Sequence, residues 1–372
     1  MAPQTVEQFH KLVSEIEQSP TYQRPLAFGL GLTTLSCKGE ALDCFYPAPQ
    51  YQTAFGAAAI LAKIVGYKSG THSYVLSRDQ LAEAFAYMSP FLNDKEKKHV
   101  NLETIQAFLA LSQSPSFRKQ FVVTFIAVNE QDPGPQGVAD AYLRLHLLSH
   151  RLVRPHGIKI QGLFKVLPNV AWTSEGPLAI EELAVFRQES LLTGKALNIH
   201  SVDKFPRMTD YVVPSGVRIA DASRVRLGAY LGEGTTVMHE GFVNFNAGCE
   251  GPNMIEGRIS AGVFVKKGSD LGGGCSTMGT LSGGGELVIS IGEDCLIGAN
   301  GGVGIPLGDR CTVESGLYIT AGTKLAFQGK TVKARDLAGK NDLLFRRHSL
   351  NGSVEAIVKG NTLSLNSDLH KN

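Results

Sequence analysis

The feature that most constrains this chain is a series of aliphatic residues spaced six positions apart between Val213 and Leu325. A period of six fits neither the helical period of about 3.6 residues nor the two-residue alternation of a plain strand. It fits a solenoid of triangular cross-section, in which each six-residue unit forms one flat side and one corner. The aliphatic residue points into the prism, and the glycine that often follows it permits the tight corner. The spacing therefore predicts a left-handed parallel β-helix on these positions: Val213, Ile219, Val225, Leu231, Val237, Val243, Ile291, Ile297, Val303, Leu307, Val313, Ile319 and Leu325.

Two stretches interrupt the count of six. The first, Asn244–Arg258, is rich in Asn and Gly, and the second, Leu271–Gly285, carries seven glycines. A step of only four residues also separates Val303 from Leu307. Loops that leave a regular solenoid commonly carry its function. We therefore expect both stretches to be functional loops, with simple surface decoration as the alternative.

Composition excludes several classes of protein. The 372 residues include 36 lysines and arginines against 34 aspartates and glutamates. This near balance gives no broad positive electrostatic field that would attract nucleic acid or a membrane surface. The N-terminus has an amphipathic helix pattern rather than that of a signal peptide, and no apolar run approaches the roughly 20 residues that span a bilayer. We expect a cytoplasmic protein without nucleic-acid or membrane partners. Without CxxC spacing, the four cysteines of the repeat are predicted to be small buried hydrophobic residues: Cys249, Cys275, Cys295 and Cys311.

The chain divides into three predicted domains. Residues 1–205 are expected to form an α/β domain, residues 206–325 the β-helix, and residues 326–372 a small β cap over the open end of the solenoid. Within the first domain the residue patterns predict a buried strand over Phe121–Val128. They also predict three helices, over Val6–Ile16, Arg78–Met88 and Val138–Leu152.

Three histidines lie near the C-terminal end of the last of these helices: His146, His150 and His156. A metal site is the disfavoured interpretation, because no carboxylate lies at ligand spacing. Cations at a helix C-terminus are ordinary partners of the helix dipole. The sequence therefore identifies no metal ligand.

Glu240 is the candidate catalytic acid of the repeat. Met238, Phe242 and Val243 border it, and an apolar setting of this kind is expected to raise the pKa of its carboxyl group towards neutral. Such a carboxyl group can take a proton from an ammonium nucleophile or attack an acyl carbon itself.

Two other interpretations of this motif stay open. Glu240 could serve only as a structural ion-pair partner of Arg224 or Arg226. His239 could instead be the base, as in many hexapeptide acyltransferases. A period-two pleat would place His239 and Glu240 on opposite sides, so that only one of them faces the substrate.

The later part of the repeat suits coenzyme A. The pantetheine arm takes main-chain hydrogen bonds along the edge of a coil, and Ile297–Gly302 offers exposed backbone with few side chains. The phosphates require a lysine or arginine. The segment Lys330–Arg335, directly after the repeat, supplies three such cations.

Several strings of this chain are far more specific than a six-residue pattern. They are YLRLHLLSHRLV, LPNVAWT, VDKFPRMTDYVVP, MHEGF, EGRIS, LSGGG, CLIGAN, KARDLAG and DLLFRR. Together they resemble the tetrahydrodipicolinate N-succinyltransferases, in the subfamily with a long N-terminal domain. The resemblance covers roughly residues 140–350, and the first 140 residues match little.

The resemblance implies transfer of succinyl from succinyl-CoA to the amino group of L-2-amino-6-oxopimelate, the ring-opened form of tetrahydrodipicolinate, in the succinylase branch of diaminopimelate and lysine biosynthesis. It implies a homotrimer and, in some relatives, a magnesium ion (Mg2+) near the trimer axis, for which no ligand is assigned here. It implies that Glu240 is the catalytic acid, for which an acyl anhydride has been proposed. The implied succinyl-CoA contacts are Phe242, Gly257, Ser260, Gly283, Gly298, Ala299, Pro306, Tyr318, Thr331, Val332 and Lys333.

Three other functions remain alternatives. A γ-type carbonic anhydrase needs three zinc-binding histidines in the repeat, and only His239 occurs between Val213 and Leu325. Another hexapeptide N-acyltransferase, such as an acetyltransferase acting on an amino sugar, would differ in its acyl donor. A non-enzymatic scaffold would have no reason to keep an acid in an apolar wall beside two glycine-rich stretches.

Overall fold

The computed structural model describes residues 2–92, 94, 99–111, 118–128, 130–279 and 288–360. The chain forms two compact units. The first comprises Met1–Leu147 and Ile158–Pro206, and the second comprises Leu148–Gly157 and Arg207–Asn372. The short segment Leu148–Gly157 therefore belongs with the C-terminal part of the chain.

The elements before Arg207 are helices and antiparallel strands. The helices are α1 (Val6–Glu17), α2 (Phe55–Val65), α3 (Arg78–Met88), α4 (Val100–Ala110), α5 (Val138–Ser149), α6 (Leu163–Val166) and α7 (Leu183–Thr193). The strands are β1 (Ala27–Leu35), β2 (Ala41–Phe45), β3 (Gln50–Tyr51), β4 (His72–Leu76), β5 (Lys119–Ile126), β6 (Val170–Thr173), β7 (Gly176–Ala179) and β8 (Ile199–Asp203). One sheet has the order β2-β1-β5-β4, with β3 paired to β1, and a second has the order β7-β6-β8. No helix among the described residues has the length and apolar character to cross a membrane.

The predicted elements of this unit are confirmed, with small changes at their ends. The strand β5 lies between β1 and β4, and its residues from Phe121 to Ile126 are all buried. Helix α3 has the predicted bounds, because Ser77 and Gln80 form a reciprocal capping box at its start. Helix α1 ends one residue later than predicted, and α5 ends at Ser149, three residues earlier.

A buried charge cluster ties α5 to the loop after β5. The Arg144 guanidinium is fully buried and contacts Asp132 at 2.6 Å and Asp140 at 2.8 Å. It also donates to the carbonyl oxygen of Lys159 at 2.7 Å. Burial raises the pKa of Asp140, whereas hydrogen bonds from Arg144 lower the pKa of Asp132 against the effect of burial. The loss of one member would leave an uncompensated buried charge.

The second unit is a three-sided solenoid. Each coil visits three parallel sheets in turn, which we name face 1, face 2 and face 3. Face 1 contains β10 (Ala229–Leu231), β13 (Ala247–Cys249), β16 (Phe264–Val265) and β19 (Ser290–Ile291). Face 2 contains β9 (Arg218–Ile219), β11 (Thr235–Val237), β14 (Asn253–Ile255), β17 (Asp270–Leu271), β20 (Leu296–Ile297) and β22 (Thr312–Val313). Face 3 contains β12 (Phe242–Val243), β15 (Arg258–Ile259), β18 (Ser276–Thr277), β21 (Gly302–Gly304) and β23 (Tyr318–Thr320).

The six-residue count identifies the interior of this solenoid. Eleven of the thirteen predicted inward residues are buried, which confirms a parallel β-helix with three faces. Val213 is 74% exposed and Ile219 is half-buried. The prediction was wrong for Val213 because this residue precedes β9, the first strand of face 2.

The stretch Asn244–Arg258 does not leave the solenoid, so its prediction as a loop was wrong. It contains β13, β14 and the start of β15. The count of six continues through Cys249 and Ile255, and a step of four then leads to Ile259 on face 3. The polar composition supports the coil, since the Asn253 side chain donates to two main-chain carbonyls of the next coil at 2.8 Å.

Part of the second interruption belongs to the coils. Residues 271–277 contribute β17 and β18, whereas residues 280–287 lie outside the described residues. On face 1, Cys249 pairs with Val265, 16 positions later, but Val265 pairs with Ile291, 26 positions later. The chain therefore carries extra residues between β18 and β19.

Four further strands follow the last coil: β24 (Lys324–Phe327), β25 (Lys330–Lys333), β26 (Leu343–Arg347) and β27 (Val354–Val358). Strand β26 pairs with β22 in parallel and extends face 2, while β24-β25 and β26-β27 are antiparallel pairs. Phe345 is the register partner of Val313 and is fully buried. It continues the apolar column beyond the last coil.

The four repeat cysteines are fully buried, which confirms their prediction as small hydrophobic residues. Burial raises the pKa of both Cys249 and Cys275 to about 12. Neither thiol is therefore a thiolate nucleophile near neutral pH.

The corner at Gly232 provides a test of how the coils stack. A Cβ atom there would lie 1.7 Å from the carbonyl oxygen of Glu250 in the next coil. We expect Gly232→Ala to lower the free energy of unfolding by roughly 1–3 kcal/mol, because the coils must move apart. Chemical denaturation measures the change.

The matched control is Gly322→Ala, at a glycine with open space around its Cβ position. This control should change the free energy of unfolding by less than about 0.5 kcal/mol. Equal effects of the two substitutions would contradict the close approach of the coils at Gly232.

Candidate active site

Glu240 lies in the turn between β11 and β12, at the corner from face 2 to face 3. The turn is closed by the Gly241 N–H, which donates to the Met238 carbonyl at 2.9 Å. A Cβ atom at Gly241 would meet the carbonyl oxygen of Ile255 at 2.3 Å, so glycine is required where the turn packs on the next coil. His239 and Glu240 are both exposed. The prediction of a pleated strand at these two residues was wrong, because they form a turn.

The Glu240 carboxylate forms no hydrogen bond or ion pair with any residue in the described ranges. Arg224 contacts the main chain of the turn instead. Its Nη2 donates to the Glu240 carbonyl at 3.1 Å and its Nε donates to the Gly241 carbonyl at 3.2 Å. The ion-pair interpretation was therefore wrong. The expected apolar enclosure is also absent within the described part of this chain, since Glu240 is exposed.

Two guanidinium groups lie near Phe242, the residue after the Glu240 turn. The Cζ atoms of Arg224 and Arg226 are each 5.9 Å from the centroid of the Phe242 ring. Arg226 also donates from Nη1 to the Asn244 side chain at 3.2 Å. Positive charge at this distance is attracted to an aromatic ring. The half-buried Phe242 ring therefore lies between cations at the edge of face 3.

Asp221 adds a negative charge to this corner. The Ser223 hydroxyl and main-chain N–H donate to its carboxylate at 2.7 and 2.9 Å, and these hydrogen bonds lower the pKa of Asp221. The charges of Arg224 and His239 act in the same direction. Asp221 is thus ionised near neutral pH and offsets part of the positive charge around the turn.

The corner that carries Glu240 recurs in each coil, and three predicted succinyl-CoA contacts lie on it. The Phe242 N–H donates to the Gly257 carbonyl at 3.0 Å, and the Gly316 N–H donates to the Ala299 carbonyl at 2.8 Å. A Cβ atom at Gly298 would lie 2.5 Å from the Ser315 nitrogen. The structure therefore aligns Gly257, Gly298 and Ala299 with Glu240 along one edge of face 3.

Phe242 and Tyr318 stand at opposite ends of one row across face 3. The row comprises Phe242, Arg258, Ser276, Gly302 and Tyr318. Neighbouring strands lie about 4.8 Å apart, so the row spans roughly 19 Å. A Cβ atom at Gly302 would be only 2.1 Å from the Tyr318 ring, which shows that this glycine makes room for the aromatic side chain. Tyr318 is 44% exposed.

Ser260 and Pro306 lie at the other edge of face 3, where the chain turns towards face 1. The Ser260 hydroxyl donates to the Thr277 carbonyl at 2.6 Å, so it already supports the coil. The Pro306 carbonyl accepts from the Gly339 N–H at 2.9 Å. The predicted contact Gly283 lies outside the described residues.

The remaining predicted contacts are on β25. Thr331 and Lys333 are exposed and Val332 is half-buried. Lys333 is directly opposite Lys324 on β24. Like charges in register repel each other, so the hairpin offers a concentrated positive charge to an anion.

His146 and His156 both contact main-chain groups. His146 is buried, with Nδ1 2.7 Å from the Tyr142 carbonyl and Nε2 accepting from the Tyr46 N–H at 3.3 Å. His156 lies 2.8 Å from the Gly262 carbonyl through Nε2. Within the described ranges, no group of three or more His, Cys, Asp or Glu side chains could hold a metal ion.

The sequence analysis missed the contact between Arg224 and the Glu240 turn, because it considered Arg224 only as an ion-pair partner. The spacing held a signal. Arg224 and Glu240 are 16 positions apart, close to the 18 positions that separate the neighbouring partners Val225 and Val243 on these two coils. That spacing would have placed the two residues on neighbouring coils.

Three family models match parts of this chain. Residues 7–165 match the family described as tetrahydrodipicolinate N-succinyltransferase N-terminal, and residues 167–207 match the middle part of the same family. Residues 288–321 match the hexapeptide repeat of succinyl-transferase. The first match begins at residue 7 and so includes most of the first 140 residues, which showed little resemblance by sequence motifs.

Curated relatives carry the name 2,3,4,5-tetrahydropyridine-2,6-dicarboxylate N-succinyltransferase. A Pseudomonas paraeruginosa relative is 56% identical, over 93% of this chain and 97% of its own length. A Vibrio cholerae relative is 51% identical, over 93% and 98% respectively. A Campylobacter jejuni crystal structure, described provisionally as a 2,3,4,5-tetrahydropyridine-2-carboxylate N-succinyltransferase, is 33% identical with a TM-score of 0.87 and covers 95% of this chain and 97% of its own. The chain therefore belongs to the tetrahydrodipicolinate N-succinyltransferase family.

Proposed function

We propose that this enzyme transfers succinyl from succinyl-CoA to the amino group of L-2-amino-6-oxopimelate, the ring-opened form of tetrahydrodipicolinate, in diaminopimelate and lysine biosynthesis. The identity of 51–56% to enzymes of that name over 93% of the chain carries the proposal. The same identity argues against the acetyltransferase alternative. The substrates imply a cytoplasmic location.

The position of Glu240 supports its role as the catalytic acid. Its carboxylate is exposed at a corner of face 3, without a partner in the described ranges, and can reach a bound substrate. As a general base it would take a proton from the acceptor ammonium. The amine would then attack the thioester carbon, the C–S bond would break, and the departing CoA thiolate would take the second proton from the nitrogen as the amide forms.

The covalent route uses the same group. The Glu240 carboxylate would attack the thioester carbon, form a mixed anhydride and release CoA as a thiolate. The acceptor amine would then attack the anhydride and restore the carboxylate. In both routes negative charge develops on the carbonyl oxygen, and main-chain N–H groups of the glycine-rich corner are suitable donors to it.

For succinyl-CoA, we propose a path along face 3 from Glu240 towards β25. Gly257, Gly298 and Ala299 follow the same corner as Glu240. Gly298 is half-buried and Ala299 is exposed, so their backbone would be accessible to the pantetheine arm. Phe242, Ser260, Gly283, Pro306 and Tyr318 complete the proposed contacts. Thr331, Val332 and Lys333 would bind the phosphates, supported by the facing cations of the β24-β25 hairpin.

We propose a left-handed solenoid that works as a homotrimer, with each active site between neighbouring copies. The functional segments are those expected from the sequence, residues 1–205, 206–325 and 326–372. The exposure of Glu240 in one chain supports the trimer, because a second copy could exclude water from the reacting groups. A magnesium ion on the trimer axis takes no part in the steps above.

The mass in solution tests the proposed assembly. One chain has a mass of 39.9 kDa, and a closed ring of three copies would have a mass of about 120 kDa. We expect light scattering coupled to gel filtration to give the larger value at micromolar concentration. A mass near that of one chain, with succinyl transfer retained, would rule out a site shared between copies.

Substitution of Glu240 tests the chemistry. Glu240→Gln keeps the shape of the side chain but removes its ability to accept a proton or attack a thioester. We expect kcat to fall by about 10²–10⁴-fold or more while succinyl-CoA binding persists. The assay follows CoA release with the amino dicarboxylate acceptor. The wild-type pH profile should show an ascending limb from a group that must be deprotonated.

Glu233→Gln is the matched control, because Glu233 is an exposed glutamate in the preceding corner of the same coil. Its kcat should stay within about twofold of wild type. If Glu240→Gln turns over within about tenfold of wild type and unfolds at a lower temperature, Glu240 is structural. His239 then becomes the next candidate base.

The phosphate contact is tested by Lys333→Ala. Because a phosphate contact is equal in the ground and transition states, its loss should appear in KM rather than kcat. We expect KM for succinyl-CoA to rise roughly 2- to 30-fold. Lys11→Ala, at an exposed lysine of α1, is the control for charge removal. A large fall in kcat at saturating succinyl-CoA would contradict the assignment of Lys333.

A further inference from the structure

We propose that Arg224 is the positioning residue that fixes where Glu240 presents its carboxylate. This inference rests on the proposed function, with Glu240 as the reacting acid. It adds a residue that would not touch the substrate and would act through the main chain of the Glu240 turn.

The contacts of Arg224 are directed at two successive peptide units, the one before and the one after Gly241. Its Nη2 and Nε donate to the carbonyls of Glu240 and Gly241, at 3.1 and 3.2 Å. These two carbonyls flank the peptide nitrogen of Gly241, so a rigid guanidinium that holds both also sets the orientation of the backbone between them. Arginine is suited to this task because its donors are held in a planar fork, whereas a lysine ammonium is a point charge on a flexible stem.

Arg224 is itself held by its neighbours in the first complete coil. The adjacent Val225 is fully buried and forms a β-bridge with Val243. The Arg226 N–H donates to the Val243 carbonyl at 3.1 Å. The Arg224 guanidinium also lies 5.9 Å from the Phe242 ring. The interior of the solenoid and this aromatic ring therefore restrict the guanidinium before any substrate binds.

The position of the Glu240 side chain depends on the contact between Arg224 and the main chain. A carboxylate that was held by a hydrogen-bond partner would depend on that contact less. The Glu240 carboxylate has no hydrogen-bond partner in the described ranges, so the main chain of the turn decides where the side chain begins. Apart from Arg224, the turn is held by the Gly241 N–H to Met238 carbonyl bond and by the Met238 N–H to Ile255 carbonyl bond, both 2.9 Å long. Neither of these bonds involves the carbonyl of Glu240.

Arg224→Ala and Arg224→Lys test the inference. Because a displacement of about 1 Å at a reacting group can cost roughly 10²-fold in rate, we expect kcat to fall about 100-fold in Arg224→Ala. Arg224→Lys, which keeps the charge but cannot hold both carbonyls, should recover less than a tenth of wild-type kcat. KM for succinyl-CoA should change by less than about fivefold. Arg224 would not contact succinyl-CoA, so its loss should act on the reaction step and not on ground-state binding.

Chemical rescue separates positioning from general destabilisation. Millimolar guanidinium can occupy the space left in Arg224→Ala, and it should restore kcat at least about tenfold without a change in Tm. Arg218→Ala is the control, because Arg218 is an exposed arginine on β9. Guanidinium should have no effect on that variant or on the wild type.

Hydrogen exchange gives a readout that does not depend on succinyl transfer. The amides of residues 238–242 should exchange faster in Arg224→Ala and Arg224→Lys than in wild type, while the other coils keep their protection. If the wild type lacks succinyl transfer but these amides respond, the proposed function fails and the positioning contact stands.

Three results would overturn the inference. They are unchanged exchange in residues 238–242, a kcat within about threefold of wild type in either Arg224 variant, and a loss of kcat that guanidinium does not restore. Should Arg224→Ala fail to fold, the exchange and kcat of Arg224→Lys decide the matter alone.

Discussion

The close approach of one coil to the next is the constraint on which this solenoid depends. Successive coils are joined by main-chain hydrogen bonds in parallel register, so each corner must pass within contact distance of the corner beyond it. At Gly232, Gly248 and Gly251 a Cβ atom would lie 1.7, 1.9 and 2.1 Å from a carbonyl oxygen of a neighbouring coil. No side chain can occupy such positions without moving the coils. The glycines are therefore imposed by packing, and the buried aliphatic columns can stack only because the corners permit it.

The same stacking turns distance along the chain into contact between coils. Residues 16 to 18 positions apart become register partners, as Cys249 does with Val265 and Leu231 with Cys249. Short segments from several coils therefore meet along one edge of face 3. There Arg224, Glu240 and Gly257 lie on consecutive coils, although no short sequence motif contains all three. This explains how a regular solenoid can build a site without a dedicated loop for each side chain.

The sequence predicted the interior of the fold better than its corners. The count of six found the buried columns because apolar burial depends on residue type and spacing. It failed at Val213, which has no preceding coil to pack against, and at Asn244–Arg258. In that stretch Cys249 takes the place of an aliphatic residue, and the step to Ile259 shortens to four. Neither change alters the backbone path, so a loss of sequence pattern was mistaken for a loss of structure.

For the candidate site, residue types were easier to predict than their contacts. The sequence around Glu240 predicted an acid near two arginines. It also suggested that the segment is a pleated strand and that Arg224 pairs with the carboxylate, and neither is the case. In a turn both His239 and Glu240 are exposed, and the arginine binds main-chain carbonyls instead. Sequence alone cannot distinguish these outcomes, because a carbonyl is present at every residue and only the folded geometry selects which one is reached.

This choice of partner has a chemical consequence. An arginine bound to the carboxylate would stabilise its charged form and make it a poorer base and a poorer nucleophile. It would also have to release the carboxylate before reaction. With the guanidinium on the carbonyls of Glu240 and Gly241, the backbone is fixed while the carboxylate stays available. A single residue on the preceding coil, Arg224, thus fixes the main chain of the turn and leaves the Glu240 carboxylate available for reaction.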